Sequence, residues 1–304
     1  MNMKQQILIT GATGMIGKKL ISKLLQDGHS VSILSRKSRR IKNVAVYLWD
    51  VYKREIDANC LKGIDTIIHL AGEGIADAKW TKKRKQKIID SRILSTNLLY
   101  KAIKDQNSKV KNFISSSAVG YYGDRQDEIL TEESGPGKGF LAECCELWEQ
   151  AVDDGKAFDF RIVKIRTGVV LGKGGGALPV MEKPIRLFAG AALGTGKQWI
   201  PWIHIDDIVN IYLAAVEDNN YNGVYNGCAP YPVTNETLTK AIAKKLHRPV
   251  WPVNVPEKVL NMFLGQMSSV VTTSNNTSAQ KLLNEDYNFK FTHLEDALND
   301  IYKI

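Results

Sequence analysis

The sequence predicts an α/β chain: a doubly wound parallel sheet with helices on both faces, followed by a smaller lobe toward the C-terminal end. Three observations carry this. Short apolar runs alternate with amphipathic helical stretches through the first half of the chain. A glycine-rich turn, Gly11-Ala-Thr-Gly14-Met-Ile-Gly17, directly follows the first apolar run and opens a helix. The 304 residues exceed what one compact core usually needs, so a main domain with a smaller lobe is expected.

The elements follow in order. Residues 6–10 (QILIT) form the first strand. Ile16, Leu20, Ile21, Leu24 and Leu25 then recur at helical spacing, and Gly28 closes that helix. Further strands are expected at 31–34, 45–49, 66–70 and 112–115, with a long helix over about 81–104 between the last two. A sixth strand runs over 161–170, before the loop Gly172-Lys-Gly-Gly-Gly176. Residues 199–205 read as extended. Asp206 or Asp207 is the expected cap of a helix ending near Glu217, residues 223–227 form a short strand, and Thr234 opens an amphipathic helix reaching Leu246. Pro249, Pro252 and Pro256 punctuate a loop before a last helical region. There Val259, Met262, Phe263, Leu282 and Leu283 recur at helical intervals, with a turn near Asn288. The expected division is a main domain over 1–175, completed by about 203–228, and a smaller lobe from 176–202 and 229–304. The tail is expected to fold onto that lobe and not to form an independent module.

Composition narrows the class. Hydrophobic residues make up 44% and charged residues 24%, which suits a soluble globular chain. No run of about 18 uncharged apolar residues occurs, so no membrane partner is expected. The first ten residues read as a strand and not as a signal segment, so a cytoplasmic protein is expected. Cys60, Cys144, Cys145 and Cys228 show no CxxC spacing, so neither a metal site nor a disulfide framework is expected. The formal charge of +9 comes from local clusters such as Arg36-Lys37-Ser38-Arg39-Arg40 and Lys82-Lys83-Arg84-Lys85, with no zinc-finger, RNP or basic-zipper pattern. A solvated basic face serving an anionic cofactor is the expectation, with no nucleic acid partner. The chain is expected to be a monomer or a homodimer.

The glycine turn has a specific chemistry. Gly11 permits the tight turn, Gly14 lets a pyrophosphate reach the backbone, and Gly17 allows close packing of the helix. Thr13, Met15 and Ile16 lie in the same turn. The helix N-terminus then offers unpaired N–H groups to phosphate. An NAD-specific site of this kind ends its second strand with Asp or Glu to hold the ribose 2′-hydroxyl. Here the chain reads Ser35-Arg36-Lys37, with no carboxylate, and a guanidinium there matches a 2′-phosphate. NADP(H) is therefore the expected cofactor.

The GxxGxxG spacing resembles the short-chain dehydrogenase/reductase superfamily, whose fold is a Rossmann domain. Leu70-Ala71-Gly72 resembles its cofactor-contacting segment. Ser115-Ser116-Ser117-Ala118 lies where it carries the active-site serine, and Trp202-Ile-His204-Ile-Asp206-Asp207 resembles the run into the late helix of its extended members. The stretch from His69 to Ile93, Tyr121-Tyr122-Gly123, Phe140-Leu-Ala with Trp148-Glu149, Arg166-Thr-Gly-Val-Val-Leu-Gly172, Phe289-Lys-Phe291 and Leu294–Leu298 together look like the atypical "epimerase family" that carries its own C-terminal extension. His69 stands where many members have Asn, and Gln266 where many have Glu. The resemblance implies cofactor contacts from Asp50 on the adenine side, and from Lys87, Arg92, Ser115 and Val170.

The same resemblance exposes a gap. The superfamily uses a Tyr-x-x-x-Lys pair, in which the Tyr transfers a proton and the Lys lowers its pKa and holds the nicotinamide ribose. Here the segment reads Phe140-Leu141-Ala142-Glu143-Cys144-Cys145, and in either register no phenol and no ammonium is present. Ser117, with Tyr121 or Tyr122 on the same loop, forms the substitute catalytic set. Tyrosines that only line the pocket, and His204 as a hydrogen-bonded pocket histidine, stand beside that reading. Two functions remain: an NADP(H)-dependent oxidoreductase or epimerase of altered proton chemistry acting on an unidentified small molecule, or a cofactor-binding regulatory or redox-sensor protein with little turnover.

Overall fold

The computed structural model describes residues 4–303. The strands are β1 (Gln6–Thr10), β2 (Ser30–Ser35), β3 (Val44–Asp50), β4 (Glu55–Ile56), β5 (Thr66–His69), β6 (Asn112–Ala118), β7 (Ile129–Leu130), β8 (Arg161–Thr167), β9 (Val169–Leu171), β10 (Trp199–Ile200), β11 (Trp202–His204), β12 (Gly223–Gly227), β13 (Val233–Thr234) and β14 (Asn276–Thr277). The α-helices are α1 (Met15–Gln26), α2 (Lys82–Asp105), α3 (Phe140–Asp153), α4 (Leu178–Arg186), α5 (Ile205–Glu217), α6 (Asn235–Lys245), α7 (Glu257–Leu264), α8 (Ser269–Thr272), α9 (Gln280–Asn284) and α10 (Leu294–Tyr302).

Eight strands join one sheet in the order β12-β8-β6-β5-β1-β2-β3-β4, parallel except where β4 turns back on β3. The order reverses between β1 and β5, which opens a crevice at their carboxyl ends. Alternate strand residues enter two layers. Ile7, Ile9, Ile33 and Ile68 pack with Leu20, Leu24, Ile208 and Tyr212 of α1 and α5. Leu8, Leu34, Ile67 and Phe113 pack with Leu98, Leu99, Trp148 and Val152 of α2 and α3. Strands covered on both faces read as continuous apolar runs, which is why the sequence announces them.

Two expected elements change. The strand expected over 161–170 breaks at Gly168, where a β-carbon would lie 2.3 Å from the Pro201 carbonyl oxygen. Beyond it, β9 leaves the main sheet and pairs with β11. The cap of α5 is His204, whose Nδ1 accepts from the Asp206 N–H at 3.1 Å, and not either aspartate. Asp207 instead accepts the backbone N–H groups of Lys290 and Phe291 at 2.7 and 3.0 Å.

A second core joins Leu178, Ile185, Ile200, Trp202, Leu238 and Ile242 to Phe291, Leu294, Leu298 and Ile301 of the tail. The tail also returns to the main body. There β14 pairs with β7, and Leu282 joins the core layer of α1 and α5. Of the expected apolar tail positions, Leu282 is fully buried, while Met262 and Phe263 are exposed.

Candidate functional site

The glycine turn sits at the crevice. Gly11 adopts a positive φ of 64°, and a β-carbon there would lie 2.4 Å from the Leu70 carbonyl oxygen. At Gly17 a β-carbon would lie 2.7 Å from the Ala12 Cα, so this glycine seats α1 against the turn itself. Gly14 is the N-cap of α1. No side chain caps that end, and no acidic residue occupies the first turn. Thr13 and Gly14 are exposed, and Met15 and Ile16 half-buried. The turn thus offers unpaired N–H groups, a dipole and an open backbone, a cradle that fits a pyrophosphate. The loop over 172–176 covers Met15: a β-carbon at Gly176 would lie 2.8 Å from the Met15 methyl, and Val170 stands just before that loop in β9.

At the end of β2, Ser35 Oγ donates to the Lys37 carbonyl and accepts from Arg39 Nε at 3.0 Å. The Arg36 side chain is 74% exposed and reaches Glu73 at 3.4 Å, across the glycine turn. Glu73 is the residue that sequence reasoning missed. It follows directly on the Leu70-Ala71-Gly72 segment that resembles a cofactor-contacting one, which was the available signal. Its carboxylate also meets Arg84 at 2.9 Å and Lys87 at 3.8 Å. Burial alone would raise its pKa, but the Arg84 hydrogen bond and the three cations hold it below the ordinary carboxylate range. Arg84, read as part of a solvated cluster, is therefore turned inward. Asp50, ending β3, spends Oδ1 on the backbone N–H groups of Tyr52 and Lys53.

One face of α2 organises the β5 end. Ser91 Oγ accepts from Glu73 N at 3.0 Å, and Arg92 Nη1 donates to the Glu73 carbonyl at 3.2 Å. Ser95 bonds His69 Nε2 at 3.1 Å, while His69 Nδ1 meets Thr10 Oγ1 at 2.7 Å. Thr10 Oγ1 also accepts from the N–H groups of Leu70 and Ala71, fixing the Ala71-Gly72 backbone beside the turn.

The substitute catalytic set is arranged differently from expectation. Ser117 is 2% exposed, and its hydroxyl donates to Glu149 Oε1 at 2.7 Å. Arg166 forks onto Glu149 at 2.8 and 3.0 Å and donates to Tyr122 Oη at 2.9 Å, which donates in turn to Asn226. Tyr122 is fully buried, and burial pushes its phenol up to about 12. Ser115 is fully buried as well, bonded to the Ser116 carbonyl. Ser117 and Tyr122 therefore belong to a buried ionic network, which sequence spacing did not reveal. Tyr121 is half-buried, with the Arg166 guanidinium 3.6 Å from its ring centre.

The two candidate registers on α3 pack differently. Phe140 packs edge-on against Trp80, and Cys144 joins Trp80 and Ile88. Leu141 and Cys145 flank Gly120 at the end of β6: a β-carbon there would lie 3.3 Å from Leu141 Cβ and 3.7 Å from Cys145 Sγ. Leu141 and Cys145, and not Phe140 and Cys144, are thus the α3 residues beside the Gly120 backbone. All four cysteines are free and buried, and burial pushes the Cys145 thiol up to about 12. His204, Asp206 and Asp300 lie close together, but Asp206 already holds Lys19 and Lys290, so the cluster is charge-balanced without an ion.

Comparison with known proteins agrees with this architecture. Residues 7–227 match the NAD dependent epimerase/dehydratase family, and residues 255–301 match a domain of unknown function, DUF1731. The epimerase family protein YfhF of Bacillus subtilis is 37% identical over 298 residues, covering 97% of each chain. Among solved structures, human epimerase family protein SDR39U1 (isoform 2) with NADPH aligns at a TM-score of 0.86 and 31% identity, over 98% of this chain and 99% of its own. A nucleoside-diphosphate sugar epimerase from Corynebacterium glutamicum aligns at a TM-score of 0.80 and 33% identity, over 99% of this chain but only 58% of its own. No helix among the described residues is long and apolar enough to cross a membrane. With a glycine cradle at the switch point and the family match over most of the chain, this chain belongs to the NAD dependent epimerase/dehydratase family and carries a C-terminal DUF1731 domain.

Proposed function

We propose that this chain binds NADP(H) and acts as an oxidoreductase or epimerase on an unidentified small molecule, with proton chemistry that does not run through a Tyr-Lys pair. The observation that carries the cofactor choice is the end of β2, where Ser35, Arg36, Lys37 and Arg39 stand and no carboxylate does. A 2′-phosphate there meets guanidinium forks, whereas β2 ends without the Asp or Glu that holds a free 2′-hydroxyl, and the nearby Glu73 is engaged by Arg84. The NADPH in the human relative's structure supports the same reading. A bound nicotinamide supplies or accepts hydride. The residues of this chain grip and orient it, and Tyr121, half-buried on the loop after β6, is the phenol of the Tyr121-Tyr122 pair that is not fully buried.

The test is a fluorescence titration with NADPH and NADH. NADPH is expected to bind at least about tenfold tighter, and Arg36→Ala to remove most of that preference, since one charge-assisted contact is worth roughly 1.5–3 kcal/mol. Equal affinities for the two cofactors sink the proposal.

A second reading, a cofactor-binding sensor with little turnover, is favoured by one specific observation: Ser117 and Tyr122 are spent on Glu149, Arg166 and Asn226 inside the protein. NADPH consumption against a panel of carbonyls and quinones separates the two, because a sensor binds the cofactor and consumes none.

A further inference from the structure

Glu73 gathers more positive charge than one carboxylate needs. Arg84 donates to its Oε2 at 2.9 Å, Lys87 stands 3.8 Å away, and Arg36 reaches its Oε1 at 3.4 Å. The carboxylate is held in place from its own backbone, whose N–H donates to Ser91 Oγ and whose carbonyl accepts from Arg92 Nη1. Arg84 is fixed as well: its side chain is 14% exposed, and its Nη2 donates to the Gly74 carbonyl. Arg36 differs from both. Its side chain is 74% exposed, and among the described residues Glu73 is the one partner that side chain has. A single long contact on so exposed a side chain is worth at most about fivefold in an equilibrium. Arg84 neutralises Glu73 whether or not Arg36 stays, so Arg36 is the cation that can be released.

Sheet order shows what that contact spans. Strands β2 and β5 flank β1, so the Arg36–Glu73 pair crosses the glycine turn at the end of β1. The pair draws Arg36 toward β5, whereas Ser35, Lys37 and Arg39 stay together at the end of β2. A guanidinium contact to phosphate is charge-assisted and worth about tenfold or more, so it outweighs the hold of Glu73. We propose that Glu73 is a specificity-determining residue that works through Arg36: it holds Arg36 across the turn in the free protein and beside NADH, and yields Arg36 to the 2′-phosphate of NADP(H). This rests on the NADP(H) reading above. Glu73 does not itself touch the cofactor in this arrangement. It opposes recruitment of the arginine that does, so the preference for NADPH is smaller than Arg36 alone would give, and release of the phosphorylated cofactor is faster.

Titrations with NADPH and NADH test the exchange. Glu73→Gln, which keeps a hydrogen-bond acceptor for Arg84, is expected to tighten NADPH about threefold and to leave NADH within about 1.5-fold. In an Arg36→Ala background the same change is expected to leave NADPH affinity where it was, because no arginine remains to be released. Equal tightening of both cofactors, or tightening of NADPH that persists without Arg36, would mean that Glu73 acts only through its overall field, and overturns the proposal. Weaker NADPH binding in Glu73→Gln overturns it too, since Glu73 would then be supporting the grip. Should Glu73→Gln fail to fold, Glu73→Asp decides: it keeps the charge but draws the carboxylate back from Arg36, and NADPH affinity that does not rise in that variant overturns the proposal. Wild-type protein that binds neither cofactor, or both equally, overturns the NADP(H) reading itself, a result distinct from failure of the Glu73 assignment.

Discussion

The direction of each proton around His69 follows from counting donors. Thr10 Oγ1 accepts from the Leu70 and Ala71 N–H groups, so its own hydrogen is free to donate to His69 Nδ1. His69 Nε2 then carries the ring proton and donates to Ser95, whose hydroxyl donates to the Arg92 carbonyl. Every position is filled with the imidazole neutral. Burial, and then the nearby Arg92 charge, push His69 down to about 3. In the unfolded chain the ring titrates near about 6.5. Between those values the unfolded state binds a proton that the folded state refuses, so stability is full above the unfolded value and falls as the pH drops toward the folded one. Urea unfolding across that window should show a slope of about 1.4 kcal/mol per pH unit from this group, and His69→Asn should flatten it; identical slopes would refute the assignment. Ser117 makes a contrasting case. Because its hydroxyl serves Glu149, Ser117→Ala should cost about 1 kcal/mol of stability and leave NADPH affinity unchanged. A large loss of affinity with unchanged stability would return Ser117 to the cofactor site.

Within α1 and its turn, two glycines of one motif do different jobs. A β-carbon at Gly14 meets only the Gly11 carbonyl oxygen, at 3.3 Å, and its φ of −70° suits any residue. A β-carbon at Gly17 meets Ala12 Cα, Gly11 O and Ala12 C, all closer than 3.0 Å. Gly14→Ala is therefore expected to melt within a few degrees of wild type yet to lose cofactor affinity. Gly17→Ala should lose about 1–3 kcal/mol of stability before any ligand is added. Reversed phenotypes in thermal melts with and without NADPH would show that the cradle is misread. Elements of this local kind were legible in the sequence: β1 matches its expected bounds, and Thr81 and Thr234 cap α2 and α6 as side-chain acceptors. What escaped was long-range. The His204 cap displaces the aspartates because Asp207 is claimed by Lys290 and Phe291, and Gly168 breaks a strand because Pro201 presses on it. Glu73 and Glu149 collect cations from other elements, and no spacing along one helix encodes that.

At the scale of the molecule, the tail ties two cores together. Phe291, Leu294, Leu298 and Ile301 complete the second core, while Leu282 and the β14–β7 pairing reach the first. A chain ending at residue 254 should lose both sets at once and melt far below wild type with reduced cooperativity. Residues 255–304 alone should show no cooperative transition, because about 50 residues without staples bury too little surface; a sharp melt of that fragment would contradict the shared-core picture. The β14–β7 pairing has a further consequence, in time. A ribosome adding about 5–20 residues per second releases β7 well before its partner strand exists. For those seconds the Ile129–Leu130 edge and the place later taken by Leu282 are open on the nascent chain. The interval in which that edge stands open lengthens wherever translation slows between residues 130 and 276.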